Sequence, residues 1–284
     1  MTTQLIIDGG GDVAPGMMEK HNILSVPLNI HFGDEHYKSE ETIDLETFYT
    51  KMRNSDELPG SSSPSPNDFY ETYKRLDPST NILVLAISHG LSSTYESAEI
   101  GKNMLLEEEP DRRIAVLNTK TASCGIALLV DEAGKKMDDG VSFDELVAHM
   151  EDRIENTITL FILKTLENVI KGGRLDKVKG ALAKTLNIKL LMKASEIGAV
   201  EVTEKVRGNK KSIRRFVDQI GEYAHSFEDR VIALSHSNDA ERGNQVLQMI
   251  KDRYPFKESL FMDMGPLIAT YAGEGGLAIA FFKD

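Results

Sequence analysis

Asn81-Ile82-Leu83-Val84-Leu85-Ala86-Ile87-Ser88 is apolar almost without a break, which is too continuous for a strand with one wet face. Such a run fits the centre of a parallel sheet covered on both sides. Gln4-Leu5-Ile6-Ile7-Asp8 and Arg113-Ile114-Ala115-Val116-Leu117-Asn118 have the same character. Residues 23–30 read as one further strand, which Pro27 places at a sheet edge. Helices are expected near 67–76, 93–106, 122–137 and 142–155. Strand and helix in alternation define an α/β domain with a parallel, Rossmann-like sheet.

Beyond residue 157 the pattern changes. Thr157-Ile158-Thr159-Leu160-Phe161-Ile162-Leu163 opens as a strand, a helix is expected over 165–171, and Gly172-Gly173 interrupts it before another helix through Ala181-Leu182-Ala183. Residues 187–192 and 199–206 read as strands joined by a turn at Ile197-Gly198, and residues 231–235 and 277–282 supply two more. Paired and interleaved strands predict a mixed sheet with helices on one side. Charge divides at the same place. Residues 1–157 hold 13 Lys+Arg against 29 Asp+Glu, a net of −16, whereas residues 158–284 hold 20 against 16, a net of +4. The expectation is two α/β domains: 1–157 with the parallel sheet, and 158–284 with a mixed-sheet two-layer fold whose last strand packs near the boundary.

Several function classes recede on composition. A net charge of −12 argues against nucleic acid as a general partner. No apolar run approaches the ~20 residues of a membrane span, so no integral membrane segment is expected. Met1-Thr2-Thr3-Gln4 lacks the pattern of a secretory signal, and the lone Cys124 fits a reducing compartment, so a cytoplasmic protein is expected. The seven histidines show no ligand spacing. Asp8, Asp12 and Asp44 form a weak candidate cluster for a hard cation, and the expectation is no metal. Asp8-Gly9-Gly10-Gly11-Asp12 matches no nucleotide motif and reads as a tight turn. A serine-dependent acyl hydrolase would need Ser92 or Ser93 beside His89 or His236, without the Gly-x-Ser-x-Gly elbow.

Two hydroxyl-rich segments stand out: Ser61-Ser62-Ser63-Pro64-Ser65-Pro66 and Ser88-His89-Gly90-Leu91-Ser92-Ser93-Thr94. Each reads as a loop that opens a helix. Hydroxyls beside unpaired helix N–H groups can hold a small anion; they also serve as plain N-caps, and spacing alone favours the caps. A third segment, residues 264–276, brackets Thr270 and Tyr271 with glycines and reads either as a packed loop or as a third wall of a site.

Taken together, the motifs resemble those of the DegV family, whose members are bacterial fatty-acid-binding proteins. Residues 8–13 stand where the family has Asp-Ser-Thr-Ala/Ser-Asp-Leu. Residues 61–66 resemble Thr-Ser-Gln-Pro-Ser-Pro, and residues 87–98 resemble Ile-Ser-Ser-x-Leu-Ser-Gly-Thr-Tyr-Gln-Ser-Ala. Leu166-Glu167-Asn168 with Gly172-Gly173-Arg174 resembles Leu-Glu-Asn-x-x-x-Gly-Gly-Arg, and residues 265–275 resemble Gly-Pro-x-Ile-x-Thr-His-Ala-Gly-Pro-Gly. Five motifs in order make the resemblance specific.

The resemblance implies a long-chain fatty acid such as palmitate, stearate or oleate in a tunnel between two α/β domains, with no other cofactor and no catalysis by this chain. It implies that Ser61 and Ser92 hold the carboxylate, with Ser62, Ser93, Thr270 and Tyr271 nearby. It further implies an ATP-dependent fatty acid kinase subunit as partner; Arg174 and the run Lys205, Arg207, Lys210, Lys211, Arg214 and Arg215 are docking candidates, although the run reads somewhat better as an exposed helix start. A lipid-sensing regulatory module is the remaining alternative. Ser61 and Ser93 stand where the family has Thr and Gly. Tyr271 replaces the family His, keeping a donor but losing a group that titrates near neutrality. Tail candidates read from pattern are Ile30, Phe32, Ile126, Leu163, Leu190 and Ile268. Burial of a sixteen-carbon tail, at ~0.8 kcal/mol per methylene, would dominate affinity and leave the head group to set orientation.

Overall fold

The structure is a computed structural model that describes residues 2–39, 41–55, 57–175 and 187–284. In chain order its first half runs β1 (Thr3–Asp8), α1 (Pro15–Lys20), β2 (Leu24–Val26), β3 (Asn29–Phe32), β4 (Glu35–Lys38), α2 (Leu45–Asn54), β5 (Gly60–Ser62), α3 (Pro66–Lys74), β6 (Asn81–Ala86), α4 (Thr94–Glu108), β7 (Ile114–Asn118), α5 (Cys124–Asp138) and α6 (Phe143–Asn156). The second half runs β8 (Thr157–Ile162), α7 (Glu167–Lys171), β9 (Ile188–Ala194), β10 (Val200–Arg207), α8 (Asn209–Asp218), β11 (Val231–His236), α9 (Ala240–Lys251), β12 (Glu258–Asp263), α10 (Pro266–Ala272) and β13 (Leu277–Phe282). The helix expected through Ala181-Leu182-Ala183 lies outside the described residues.

The fold is α/β, with a four-stranded parallel sheet in the order β2-β1-β6-β7 and a separate six-stranded mixed sheet in the order β10-β9-β8-β13-β11-β12. Strand β6 is buried throughout because both of its faces are covered. Ile82 and Val84 pack with Phe69, Tyr73 and Leu105 of α3 and α4, while Leu83 and Leu85 point into the core shared with α5. The apolar run thus reports two helical layers. In the mixed sheet only β11 and β12 pair in parallel; the other neighbours are antiparallel.

Three expectations need correction. Residues 23–30 do not form one strand. Pro27 offers no N–H to a ladder, so β2 ends at Val26 as the sheet edge, and β3 joins a third sheet in the order β4-β3-β5. Residues 61–66 do not lead directly from loop to helix: Ser61 and Ser62 sit on β5, while Ser65 caps α3 in a reciprocal capping box with Asp68. Finally, helices α8 and α9 cover one face of the mixed sheet, but the other face is not bare. Helix α5 lies against β8, β11 and β13 there.

Helix α5 explains its own composition. Every residue from Cys124 to Asp131 is buried, as expected of a helix enclosed on all sides. One buried cluster consequently runs from Leu5 and Leu83 through Leu129 to Met192 and Ala278, spanning both halves. Asp12 ties the same junction with polar bonds. One carboxylate oxygen accepts from Gly265 N at 2.7 Å, ahead of α10, and the other accepts from the Ser123 hydroxyl, ahead of α5. The glycines before Asp12 are required by close approach. A Cβ at Gly10 would lie 2.6 Å from the Ile87 side chain, and one at Gly11 would lie 2.7 Å from Ile126.

Replacing Asp12 with Ala leaves the buried Gly265 N–H without its acceptor. The expected loss is about 1–3 kcal/mol of unfolding free energy, read as a lower urea midpoint. An unchanged midpoint would show that the junction does not depend on this carboxylate.

Candidate functional site

Between the sheets lies a cavity of about 410 Å³, within the ~300–1,000 Å³ usual for small-molecule sites. Both halves build it. Ile87, Leu91 and the segment 121–123 come from the first half; Phe161, Leu163, Leu267 and Ile268 come from the second. Much of the wall is apolar, and hydroxyl groups gather where β5, the segment before α4, and α10 meet.

The sheet β4-β3-β5 positions the first hydroxyls. Ser61 is the register partner of Ile30 on β3. Its hydroxyl lies 2.5 Å from the Tyr271 hydroxyl on α10, joining the two halves of the chain. Two residues on, Ser63 points the same way, as alternate residues of an extended segment do. Its hydroxyl is 3.0 Å from Ser92 and 3.0 Å from Ser93. Ser92 is 2.8 Å from the Thr94 hydroxyl and accepts from Thr94 N at 3.3 Å, at the start of α4. The N-cap residue of α4 is Ser93, whose side chain makes no cap bond, so its hydroxyl is turned to Ser63 instead.

Arg174 is a wall of this cavity. Its guanidinium lies 4.4 Å from the centre of the Tyr271 ring, within cation–π range. It donates to Leu91 O at 3.3 Å and to Gly172 O at 2.5 Å, and among the described residues no carboxylate pairs with it. The site thus places one cation beside four serine hydroxyls and a phenol. The other docking candidates lie elsewhere. Val200 lines the cavity, and Arg207 stands seven residues further along β10, about 23 Å away by strand rise. Lys210 is the second residue of α8, just beyond it; both are exposed.

Of the six residues expected at the carboxylate, Ser61, Ser62, Ser92, Ser93 and Tyr271 line the cavity. Ser62 turns partly outward, with its hydroxyl accepting from Asn29 at 3.3 Å. Thr270 is not on the wall. It is fully buried in α10 and donates to Pro266 O at 2.8 Å, one helical turn back. Of the tail candidates, Leu163 and Ile268 line the cavity, whereas Ile30, Phe32, Ile126 and Leu190 belong to the surrounding core. Among the wall residues that escaped the sequence reading are Ser63 in its role as the bridge, Arg174 as a neighbour of Tyr271, and the apolar Phe161 and Leu267. The signal for Ser63 was its spacing of two from Ser61.

Neither Ser92 nor Ser93 has a histidine partner among the described residues. His89 Nδ1 is 3.3 Å from Glu96 Oε1, and His236 is buried against Phe261. The histidines that the hydrolase alternative would use are thus engaged elsewhere. Asp44 caps α2 by accepting from Thr47 N, away from the Asp12 junction in role. Among the described residues no three His, Cys, Asp or Glu side chains gather to hold a metal. Burial pushes the Cys124 thiol up to about 12, which makes it a poor nucleophile.

Asp8 supports the cavity from behind. It is fully buried, and its two oxygens accept from Gly10 N at 2.8 Å and Ile87 N at 2.7 Å. Burial raises its carboxyl to about 7, against the pull of those two donors. An acid raised in the fold contributes stability at low pH and loses it as pH rises through the folded value. From pH 5 to 8 the unfolding free energy should therefore fall by up to about 3 kcal/mol on account of Asp8. Urea titrations of the wild type and Asp8→Asn would test this. Equal slopes against pH in both proteins would remove Asp8 as the source.

A family model described as an uncharacterised protein of the DegV family matches residues 2–284. A DegV domain-containing protein of Streptococcus pneumoniae is 30% identical over a 286-residue alignment that covers all of both chains. The crystal structure of a DegV family protein from Ruminococcus gnavus, with vaccenic acid, aligns over 99% of each chain at 31% identity and a TM-score of 0.92. That of the Streptococcus pneumoniae fatty acid kinase B3 protein, loaded with linoleic acid, aligns over all of both chains at 30% identity and a TM-score of 0.89. Fold and site define a three-sheet α/β protein whose largely apolar cavity carries a cluster of hydroxyls at one end. The chain belongs to the DegV family.

Proposed function

We propose that this chain binds a long-chain fatty acid in the cavity and presents its carboxylate to an ATP-dependent fatty acid kinase subunit. The observation that carries the reading is the pairing of apolar walls with the hydroxyl cluster of Ser61, Ser63, Ser92, Ser93 and Tyr271. A carboxylate out of water needs several donors, and these hydroxyls with Arg174 can supply them. The tail, whether of palmitate, stearate or oleate, would lie against Phe161, Leu163, Leu267 and Ile268. Relatives crystallised with vaccenic and linoleic acids support the ligand class, and the name of the kinase B3 relative supports the partner.

In this reading the chain has no chemistry of its own and needs no cofactor beyond the lipid. The kinase subunit would catalyse phosphoryl transfer to the exposed carboxylate oxygen. Arg174 moves from the docking surface to the head-group site, leaving Arg207 and Lys210 as candidates for docking. The two domains are 1–157 and 158–284, with α5 packed across their boundary. Among the described residues no helix is long and apolar enough to cross a membrane, and the cytoplasm is the proposed compartment.

Mass spectrometry of gently purified protein should find intact fatty acid near one per chain. Ser92→Ala and Ser61→Ala should each weaken palmitate binding roughly tenfold or more, the usual worth of a hydrogen bond to a charged group. A lipid-free protein that also fails to bind added palmitate would refute the proposal. Esterase activity lost in Ser92→Ala would replace it with the hydrolase.

Tyr271 makes a second test. A phenol stays protonated through neutral pH, whereas an imidazole gains a positive charge as pH falls. In Tyr271→His the ratio of variant to wild-type affinity for palmitate should rise several-fold from pH 8 to pH 6. A ratio independent of pH would show that position 271 does not face the carboxylate.

A further inference from the structure

A second cluster lies on the opposite face of the three-stranded sheet. His31 on β3 and His36 on β4 are directly opposed in register, joined by the short turn at Gly33-Asp34. Their Nδ1 atoms are 2.6 Å apart, with ring centres 4.7 Å apart and planes at 76°. Two nitrogens so close must share a proton, one ring donating N–H to the bare nitrogen of the other. The second nitrogen of His31 has a partner that can accept its proton. Its Nε2 lies 3.2 Å from the Ser62 hydroxyl, which also accepts from Asn29. With Nε2–H donated to Ser62, His31 Nδ1 is left bare and receives the proton of His36. An outward bond that fixes the ring and its tautomer is the usual support of a metal-ligating histidine.

We propose that His31 and His36 form a two-imidazole site for a late first-row divalent cation, with Ser62 as the support that orients His31. On binding, the proton of the neutral His36 ring moves from Nδ1 to its exposed Nε2 through solvent, so both Nδ1 lone pairs face the ion and no net proton is released. A tetrahedral ion with ~2.0–2.1 Å bonds needs the two nitrogens about 3.3 Å apart. His36 is exposed on edge strand β4 and can swing outward by that difference. The remaining positions go to water. Alternation turns Glu35 to the other face, where it accepts from Lys51 at 2.9 Å and Tyr37 at 2.6 Å. Lys38 shares the histidine face and is exposed, so it opposes the cation only weakly. Imidazole donors without a carboxylate select Zn²⁺, Ni²⁺ or Cu²⁺ over Mg²⁺ and Ca²⁺.

The test uses the full chain without a histidine tag, stripped of metal, with Zn²⁺, Ni²⁺ and Mg²⁺ titrated calorimetrically at pH 7.5. One Zn²⁺ or Ni²⁺ site should appear, weakened at least tenfold in His31→Gln and in His36→Gln, with Mg²⁺ giving no heat of binding. Cu²⁺ electron paramagnetic resonance on the wild type should show two imidazole nitrogens and needs no variant to fold. Absence of a site, a site that survives both substitutions, or a copper spectrum without paired imidazoles overturns the proposal. Palmitate binding reads the cavity separately, so failure at the histidines leaves the lipid reading standing.

Discussion

Burial of α5 between two sheets is the constraint on which the rest of the molecule rests. A helix apolar on every side has no stable place at a surface, so the parallel sheet of the first half and the mixed sheet of the second must close on it together. Asp12 then fixes the closure in register, because a single carboxylate accepts from the segments that start α5 and α10. Hydrophobic area supplies most of the energy. The carboxylate supplies direction, since any other alignment would leave Gly265 N–H buried and unpaired.

The cavity follows from that closure. Helix α5 covers part of the mixed sheet but not all of it, and beyond its start the two halves face each other across a gap walled by Ile87, Phe161, Leu163 and Ile268. The gap is lipid-like along its length and polar where three hydroxyl-bearing elements converge. None of those elements supplies the site alone. Ser61 depends on a three-stranded sheet, Ser92 on a helix start, and Tyr271 on a helix from the other half of the chain.

Much of this was legible in sequence, and the limits were physical. Residues 81–88 announced a doubly covered strand because burial on both faces removes every polar residue from it. The turn at Ile197-Gly198 was legible because only glycine adopts φ +73° without strain. Strands β4 and β5 were hidden, and β3 was merged with β2, because each spans only three or four residues and β5, Gly-Ser-Ser, carries no apolar side chain to set a period. Strand β12 failed for a similar reason, with Glu258 and Asp263 at its ends. Thr270 was placed beside Tyr271 by adjacency, yet neighbours on a helix point about 100° apart, and one faces the cavity while the other faces its own backbone. Arg174 looked like a surface charge because a sequence does not reveal which aromatic ring will lie beneath a guanidinium.

The position of α5 also bears on how the two halves can move. If the two halves swung apart as rigid bodies, they would strip one face of a wholly apolar helix and break the Asp12 bonds in a single movement. That route carries a large barrier. The two halves also interlock at the rim, where Ser88 Oγ donates to Ile197 O and a Cβ at Gly90 would lie 2.8 Å from that same carbonyl. The molecule is therefore built less like a hinged jaw than like a vessel with a fixed body.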